Sequence, residues 1–390
     1  MNVIGLMSGT SADGVDAALV QIRGRGASLT VRQVAFHSLP YPPTLRKRIL
    51  SASMGGTVFD ICHLNVVMGE WFARAALRVI RQASLKPSSI HLIGSHGQTV
   101  HHLPTPRREP GLGMVRSTLQ IAEPAVIAER TGITTVADFR PRDIAAGGEG
   151  APLTPYAHYV LLRHPRRSRL IVNLGGITNV TYLARRGSPE SVRAFDTGPG
   201  NMLLDGVIQK LSRGQRLMDQ DGRLATKGRV NPWLLQELLS HPYLTRKPPK
   251  TTGREEFGEA FLGKLLASKR ARRLSPRDLM ATCSLFTAVA VGIARSWIPG
   301  TIDEVLVGGG GVRNRALMVN LKAVFRPTPV RTFDEVGWQS KAFESIAFAV
   351  LAYQAIHGVG TNIPAATGAG HRAVLGKIVP GGAKRSFIPR

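Results

Sequence analysis

The segment from Gly9 to Asp16 combines glycines, hydroxyls and carboxylates directly after an apolar stretch of the 390-residue sequence. Backbone N–H groups and short hydroxyl donors in a tight turn bind phosphate groups well. The Asp13 carboxylate is a hard oxygen ligand that suits Mg²⁺, either directly or through water. The same residue types also make an ordinary β-hairpin turn, and the lysine of a Walker motif is missing. The segment alone therefore leaves a phosphate site and a plain turn open.

Four consecutive glycines, Gly308 to Gly311, stand between an apolar strand and a helical stretch. Such a run costs backbone entropy on folding, which a planar or anionic ligand lying against the backbone would offset. A flexible loop is the alternative, although the position straight after a buried strand argues against it. A Rossmann site is disfavoured because no GxGxxG follows the first strand.

Asp196 ends a short strand and opens the sequence Asp-Thr-Gly-Pro-Gly-Asn. Carboxylates at strand ends of α/β proteins often do chemistry, and this stiff loop of small residues would hold Asp196 toward a cleft. An N-cap role at the following helix is the alternative. A general base must lie within hydrogen-bond distance of the proton it takes, so the sequence makes Asp196 a candidate base and no more.

Further polar side chains suit the recognition of a sugar. His96 and Gln98 follow a short apolar strand and can bond sugar hydroxyls. Arg140 can hold a carboxylate with two hydrogen bonds, or form a surface pair with a nearby acid such as Asp143. Glu344 interrupts an apolar helical pattern, so it is either solvated or faces a ligand. Zinc is disfavoured because no second cluster of ligands has matching spacing.

The apolar periodicity predicts two halves with the same order of elements. Each half opens with a hairpin, formed by Val3–Met7 and Val15–Ile22 in the first half and by Arg169–Leu174 and Thr178–Leu183 in the second. The other predicted strands are Ile90–Gly94, Thr134–Ala137, Arg193–Phe195 and Glu304–Val307. The predicted helices are 63–83, 122–131, 201–213, 231–240, 255–270, 276–297 and 338–356. The repetition indicates a duplicated α/β domain.

The composition indicates a soluble chain with a large excess of basic residues. Two cysteines exclude a disulfide framework, no apolar run of about 20 residues predicts a membrane span, and the first residues lack the basic region of a signal peptide. We therefore expect a cytoplasmic protein. The 51 Lys and Arg against 25 Asp and Glu give a net charge of +26. These cations form small scattered groups without a nucleic-acid-binding motif, so dedicated nucleic-acid binding is disfavoured.

The motifs taken together closely resemble the anhydro-N-acetylmuramic acid kinases. The likeness runs from residue 4 to about residue 378 and rests on GLMSGTSADGVDAAL, GSHGQTVHH, VADFRPRDIAAGGEGAPL, NLGGITNVT, FDTGPGNMLLD, TTGREEFG and VGGGGVRN. It implies the two-domain α/β fold of the sugar kinase, Hsp70 and actin superfamily, an actin-like ATPase fold with duplicated β-sheet domains and ATP in a central cleft. Domain I, with the phosphate-binding hairpin and part of the sugar site, is expected to span 1–130 plus about 357–390. Domain II, with the catalytic aspartate and the adenosine-binding glycines, is expected to span 131–356.

The resemblance also implies the reaction and its residues. The family opens the ring of 1,6-anhydro-N-acetylmuramic acid with water and phosphorylates O6, giving N-acetylmuramic acid 6-phosphate and ADP in peptidoglycan recycling. This implies ATP and Mg²⁺ as cofactors, Asp196 as the general base, Asp13 as a metal ligand, and a homodimer. The residues implied for ATP are Gly9, Thr10, Ser11, Ala12, Asp13, Gly14, Val15, Asp16, Gly175, Gly176, Gly308, Gly309, Gly310, Gly311 and Asn314. The residues implied for the sugar are His96, Gln98, Arg140, Asp143 and Glu344, with Arg140 as the partner of the lactyl carboxylate.

Three other functions stay open at this point. The chain is alternatively another small-molecule kinase of the same fold, or a nucleotide-binding module without catalysis, although the intact Asp196 and the Gly9–Asp16 turn disfavour the latter. A basic nucleic-acid binder is the third. Glu149 departs from the family, in which Gln is common at this position. We expect its negative charge to weaken binding of an anionic sugar unless an arginine pairs with it.

Overall fold

The computed structural model describes residues 1–9 and 11–382, so Thr10 of the predicted ATP-binding turn lies outside the described residues. The chain divides into two compact units. Unit 1 contains Met1–Leu162 and Ala342–Arg390, and unit 2 contains Arg163–Lys341. These boundaries differ from the predicted domain limits near residues 130 and 357. The segments in question belong to unit 1 because a strand and a long helix within them complete its sheet and its core, as described below.

The described residues of the first segment of unit 1 form six strands and five α-helices. The strands are β1 Asn2–Ser8, β2 Gly14–Arg23, β3 Thr30–Pro40, β4 Leu92–Glu109, β5 Gly113–Ile121 and β6 Thr135–Ala137. The helices are α1 Pro43–Ser53, α2 Val58–Gln82, α3 Pro124–Thr131, α4 Phe139–Ala145 and α5 Pro155–Leu162.

Unit 2 follows, and the chain then returns to unit 1. The strands of unit 2 are β7 Arg169–Leu174, β8 Ile177–Leu183, β9 Arg193–Pro199, β10 Glu304–Gly308 and β11 Val330–Thr332. Its α-helices are α6 Asn201–Leu211, α7 Pro232–Leu239, α8 Pro242–Thr245, α9 Arg254–Phe257, α10 Glu259–Ala267, α11 Pro276–Ile293 and α12 Arg315–Phe325. The returning segment adds α13 Phe343–Ile356, α14 Pro364–Thr367 and β12 Lys377–Val379 to unit 1.

The two sheets share one topology. In unit 1 the strand order is β6-β4-β1-β2-β3, with β12 beside β6 and β5 beside β4, and in unit 2 it is β11-β10-β7-β8-β9. Each sheet starts from an antiparallel meander of three strands, and two further strands run parallel to its first strand. The predicted duplication of an α/β domain is therefore confirmed, and the chain has the two-domain actin-like fold.

Helix α13 lies against the sheet of unit 1 at van der Waals contact of the backbones. A Cβ atom added to Gly5 of β1 would lie 1.7 Å from the Ser345 carbonyl oxygen, and one added to Gly94 of β4 would lie 2.3 Å from the Phe348 carbonyl oxygen. Nearly every residue of α13 is buried. An apolar helix of this kind can be stable only inside a core, which explains why it belongs to unit 1 and not to the domain that was predicted to contain it.

Helix α11 is the corresponding core element of unit 2. The helical stretch Pro276–Trp297 is long and apolar enough to cross a membrane by length and composition, yet 67% of its most apolar window is buried inside the structure. Its side chains pack with those of α6, α7, α10 and α12 in one hydrophobic cluster. The stretch is therefore the central helix of a protein core.

Several elements escaped prediction because their apolar signal is weak. Strand β3 and the outer half of the β4–β5 hairpin are mostly exposed or partly buried, so they lack the alternation that marks a half-buried strand. The predicted helix 255–270 is interrupted at Gly258, where an added Cβ would lie 2.2 Å from the Arg254 carbonyl oxygen. The predicted helix 338–356 begins at Phe343.

Candidate functional site

The turn between β1 and β2 presents an open backbone and an exposed carboxylate. The Ala12 N–H donates to the Gly9 carbonyl oxygen at 3.1 Å, and Ala12 has a φ of 48°, in the left-handed region. A Cβ added to Gly9 would meet only the Ser11 Oγ, at 3.9 Å, so the backbone there is accessible. The exposed Asp13 accepts a hydrogen bond from Ser11 Oγ at 3.1 Å. This geometry can receive a phosphate group and a hard cation.

The last residues of the predicted ATP-binding segment, Gly14, Val15 and Asp16, begin strand β2. A Cβ added to Gly14 would lie 2.5 Å from the Leu39 carbonyl oxygen, so β3 packs directly over this glycine. Val15 is fully buried in the core of unit 1. Asp16 is partly buried and pairs in register with Ser38 of β3. Gly14 and Val15 are therefore packed against the protein, and the predicted contact of Asp16 with ATP stays a prediction.

Gln98 fixes the position of this turn through side-chain hydrogen bonds. Its side chain is 1% exposed, and its Nε2 donates to the Gly9 carbonyl oxygen at 3.1 Å. Its Oε1 accepts from Ser8 Oγ at 2.6 Å, and the buried Tyr41 hydroxyl donates to the same Ser8 Oγ at 3.0 Å. Because both ends of the Gln98 amide bond the protein, the structure gives Gln98 a positioning role in place of the predicted contact with the sugar.

His96 and Arg140 form a fixed pair in unit 1. The buried His96 ring accepts a hydrogen bond at Nε2 from Arg140 Nε, at 3.0 Å, and its Nδ1 lies 2.9 Å from the Gly97 carbonyl oxygen. Burial, followed by the charge of Arg140, lowers the pKa of His96 to about 3. Arg140 also donates from Nη1 to the Gly150 carbonyl oxygen at 3.1 Å. His96 is thus a neutral acceptor that orients a cation capable of binding a carboxylate.

The pKa of His96 predicts a pH dependence of stability. Between pH 6.5 and about 3 the unfolded chain binds a proton that the folded His96 does not, so acidification destabilises the fold. We expect His96 to lower the free energy of unfolding by about 2 kcal/mol between pH 7 and pH 5. In urea titrations the free energy of unfolding of His96→Gln should therefore fall less over this pH range than that of the wild type, by about this amount.

The same titrations contain a control. Between pH 7 and pH 8 neither the folded nor the unfolded His96 binds a proton to a large extent, so both proteins should show the same change there. If the free energy of unfolding fell by the same amount in the wild type and in His96→Gln from pH 7 to pH 5, this would contradict the neutral, buried state of His96.

Asp143 is a structural carboxylate. It is 0% exposed, and its Oδ2 accepts from the Gly150 N–H at 2.8 Å. Its Oδ1 accepts from Asn362 Nδ2 and from Thr367 Oγ1, each at 2.8 Å. These bonds connect the loop after α4 to the returning segment of unit 1. The predicted contact of Asp143 with the sugar is thus replaced by a positioning role, because its oxygens are occupied and buried.

The side chains of Glu344 and Glu149 in unit 1 are partly buried. Glu344 lies in the first turn of α13, where the helix dipole favours negative charge. Glu149 lies beside the loop that Asp143 holds, and its backbone N–H donates to the Thr367 carbonyl oxygen at 2.8 Å. Glu344 stays a candidate for ligand contact.

Asp196 lies on β9 of unit 2 and is held from three directions. Its Oδ2 accepts from the Thr252 N–H at 2.9 Å, its own N–H donates to the Lys250 carbonyl oxygen at 3.1 Å, and its carbonyl oxygen accepts from the Tyr243 hydroxyl at 2.9 Å. The N-cap of α6 is Gly200. The alternative of Asp196 as an N-cap is therefore wrong, and its partly buried carboxylate is held in place by the Thr252 N–H.

Lys250 anchors the segment that clamps Asp196, and sequence reasoning missed it. Its side chain is buried, and Nζ donates to the carbonyl oxygens of Tyr243 and Leu244 at 3.1 and 3.3 Å. Burial, followed by the charge of Arg246, lowers the pKa of Lys250 to about 8, against the opposing effect of Asp196. The only signal in the sequence was the TTGREEFG motif that follows this lysine.

Glycines 308 and 309 make room for protein atoms. A Cβ added to Gly308 would lie 2.3 Å from the Phe333 ring. Gly309 has a φ of +83°, and its added Cβ would lie 2.3 Å from Asn173 Oδ1. The expectation that a ligand explains the whole glycine run is therefore wrong for these two positions, since neighbouring side chains already exclude a Cβ there.

The last two glycines of the run, Gly310 and Gly311, differ in the space around them. A Cβ added to Gly311 would lie 2.6 Å from Leu174 Cβ, whereas one added to Gly310 would meet nothing within 4 Å. Gly310 is exposed. Among the four glycines, Gly310 is thus the position at which the backbone is open to a ligand.

Asn314, also predicted to bind ATP, caps a helix. Its Oδ1 accepts from the Leu317 N–H at 3.2 Å at the start of α12, and the residue is 8% exposed. A Cβ added to Gly222 would lie 2.2 Å from the same Oδ1. This cap fixes the glycine loop at its end, and the predicted contact of Asn314 with ATP stays a prediction.

The Gly175–Gly176 turn between β7 and β8 supports the N-terminus of α6. The carbonyl oxygen of Gly175 accepts from the Asn201 N–H at 2.9 Å, and that of Gly176 accepts from the N–H groups of Gly200 and Met202 at 2.8 and 3.1 Å. Gly176 itself is exposed, and its added Cβ would have nothing closer than Met202 Cβ at 3.8 Å. The open Gly176 backbone resembles that of Gly9 and Gly310.

The described residues contain no group of three or more His, Cys, Asp or Glu side chains that could hold a metal ion. Mg²⁺ is usually held by one or two carboxylates together with waters and substrate phosphates. The exposed Asp13 carboxylate fits this coordination, since it provides one hard oxygen ligand beside an open backbone.

The chain is similar along nearly its whole length to one group of known proteins. A family model described as anhydro-N-acetylmuramic acid kinase matches residues 1–381. A protein of that name from Caldanaerobacter subterraneus subsp. tengcongensis is 49% identical over 383 residues, which cover 96% of each chain. Another from Salinibacter ruber is 44% identical over 97% of this chain and 96% of its own. Among solved structures, component A of (R)-2-hydroxyglutaryl-CoA dehydratase from Acidaminococcus fermentans covers 91% of this chain and 98% of its own, with a TM-score of 0.47 and 12% identity.

Proposed function

We infer the function from one premise, that the chain belongs to the anhydro-N-acetylmuramic acid kinase family. It is an enzyme that uses ATP to convert 1,6-anhydro-N-acetylmuramic acid and water into N-acetylmuramic acid 6-phosphate and ADP in peptidoglycan recycling. The assignment of residues to this reaction is our proposal. The observation that carries it is the fixed Asp196 carboxylate, held by the Thr252 N–H at 2.9 Å.

Asp196 takes the proton of the attacking water. The water oxygen forms a bond to C1 of the sugar, the C1–O6 bond breaks, and O6 receives the electron pair. O6 then forms a bond to the γ-phosphorus of ATP, and ADP leaves. One carboxylate thus suffices for both steps, because the oxygen released by ring opening is itself the acceptor for the phosphoryl group, and Asp196 returns its proton to solvent after the transfer.

The nucleotide contacts are assigned to the open glycines. Gly9, Gly176 and Gly310 each leave backbone accessible where the neighbouring protein atoms leave room for a ligand. Asp13 is the proposed Mg²⁺ ligand, and the cation would neutralise charge on the phosphate groups. Fewer residues support the nucleotide site than were predicted to bind ATP, because several of the predicted glycines make room for packing and Asn314 caps a helix.

The sugar contacts are assigned to Arg140 and Glu344. Arg140, oriented by the neutral His96, is the proposed partner of the lactyl carboxylate. Glu344 is partly buried at the start of an otherwise apolar helix. We further propose a cytoplasmic homodimer, with ATP supplied by that compartment, and no dedicated role for nucleic acid in spite of the net charge of +26.

The test is ADP release with Mg-ATP and 1,6-anhydro-N-acetylmuramic acid, with glucose and acetate as comparison acceptors. We expect release that depends on the anhydro sugar, and a product whose mass equals the sugar plus one water and one phosphoryl group. Turnover with glucose or acetate alone would indicate another kinase of the same fold. Binding of ATP without turnover of any acceptor would indicate a nucleotide-binding module.

A further inference from the structure

Three polar side chains form a row across the sheet of unit 2. Asn173 on β7 pairs in register with Asn179 on β8, and Asn179 pairs in register with Asp196 on β9. Residues directly opposite each other on antiparallel strands project to the same face, with Cβ atoms about 4.5–5.5 Å apart. We call Asn173, Asn179 and Asp196 the polar row.

The polar row lies on the face opposite the hydrophobic core of unit 2. Its three members are partly buried, whereas their neighbours along each strand are buried. The neighbours that belong to the core are Val172, Leu174, Val180 and Phe195. The alternation therefore places the polar row on the side of the sheet that carries the Asp196 carboxylate.

Asn179 differs from the other two members of the polar row in the hydrogen bonding of its side chain. Asp196 accepts a hydrogen bond from the Thr252 N–H, and Asn173 also has a partner in the protein. Asn179 makes no side-chain hydrogen bond to any residue that the structure describes. A partly buried amide without a protein partner has its donors and acceptor available for a ligand.

The position of Asn179 connects two functional parts of unit 2. On one side, Asn173 Oδ1 is the atom that a Cβ on Gly309 would meet at 2.3 Å, so this end of the row borders the glycine run. On the other side lies Asp196, the proposed base. A group bonded by Asn179 therefore lies between the glycine run and the base, as the oxygen that receives the phosphoryl group must.

We propose that Asn179 Nδ2 donates a hydrogen bond to O6 of the sugar as the C1–O6 bond breaks, an inference that rests on the proposed function. O6 gains negative charge in this step, and the Asp196 carboxylate has no proton to offer it until it has taken one from water. An amide N–H aimed at a developing oxyanion stabilises the transition state more than the ground state. Asn179 keeps both of its protons, and the charge passes from O6 to the phosphoryl group.

The test uses Asn179→Ala and Asn179→Asp in the full chain. Aspartate has nearly the shape of asparagine but lacks the N–H donor, so both variants should lose kcat by about 10²-fold, as on removal of one oxyanion donor. The KM values for the sugar and for Mg-ATP should stay within about twofold, because the bond strengthens in the transition state. Thr181→Ser, two residues along the same face of β8, is the matched control and should keep its activity.

Three outcomes would overturn the proposal. Wild-type activity of Asn179→Asp, with a loss in Asn179→Ala, would indicate an acceptor role. A rise in the KM for the sugar at unchanged kcat would indicate ground-state binding only. Full activity of both variants would exclude any role. Thermal unfolding and ATP binding confirm that the variants fold, and absence of sugar-dependent turnover in the wild type itself would refute the proposed function separately.

Discussion

Asp196→Asn should lower kcat for sugar-dependent ADP release by about 10²- to 10⁴-fold, the range that a positioned general base contributes. The substitution removes the basic oxygen without removing the shape of the side chain. The asparagine Oδ1 can still accept from the Thr252 N–H, which lies 2.9 Å from Asp196 Oδ2. The clamp around the residue therefore stays intact, and the loss measures the chemistry.

Binding and folding provide the controls for this prediction. ATP affinity and the melting temperature should stay close to those of the wild type, because asparagine keeps the side-chain oxygen that accepts from the Thr252 N–H and the backbone bonds to Lys250 and Tyr243. Asp60→Asn makes the same chemical change in the capping box of α2, where it should lower stability slightly and leave kcat unchanged. Activity of Asp196→Asn within about threefold of the wild type would keep the enzyme's function and refute the base assignment.

Gly5→Ala should prevent unit 1 from folding stably, with a loss of more than about 4 kcal/mol. The new Cβ would lie 1.7 Å from the Ser345 carbonyl oxygen and 2.8 Å from the Ala349 backbone nitrogen. Neither atom belongs to a flexible side chain, so α13 would have to move away from β1. That shift would open the contact that joins the returning segment to the first sheet.

A second glycine supplies the matched control. Gly263 lies in α10 of unit 2, and a Cβ added there would meet nothing within 4 Å. Gly263→Ala should stabilise unit 2 by up to about 1 kcal/mol through helix propensity. Thermal unfolding of the two variants separates close packing from a general effect of adding a methyl group. A melting temperature of Gly5→Ala within a few degrees of the wild type would contradict the backbone contact.

Three of the amides and carboxylates that the sequence marked as ligand contacts bond the protein in the structure. Gln98, Asp143 and Asn314 bond other parts of the protein and position loops. Lys250 and Asn179 were not predicted as site residues. Lys250 anchors the segment that holds Asp196, and Asn179 pairs in register with Asp196. A polar side chain looks the same in sequence whether it bonds a ligand or a loop, because its partner is far away along the chain.

The sequence by itself determined the class of fold, the duplication and the family, and it marked Asp196 as the candidate base. These depend on local periodicity and on short motifs, which are contiguous in the chain. The tertiary structure alone decided which glycines are open and which polar side chains bond other parts of the protein. Gly308, Gly309 and Gly311 are excluded from bearing a Cβ by Phe333, Asn173 and Leu174, whereas Gly310 is open. Distances between residues remote in sequence set that difference, and only the packed fold brings those atoms together.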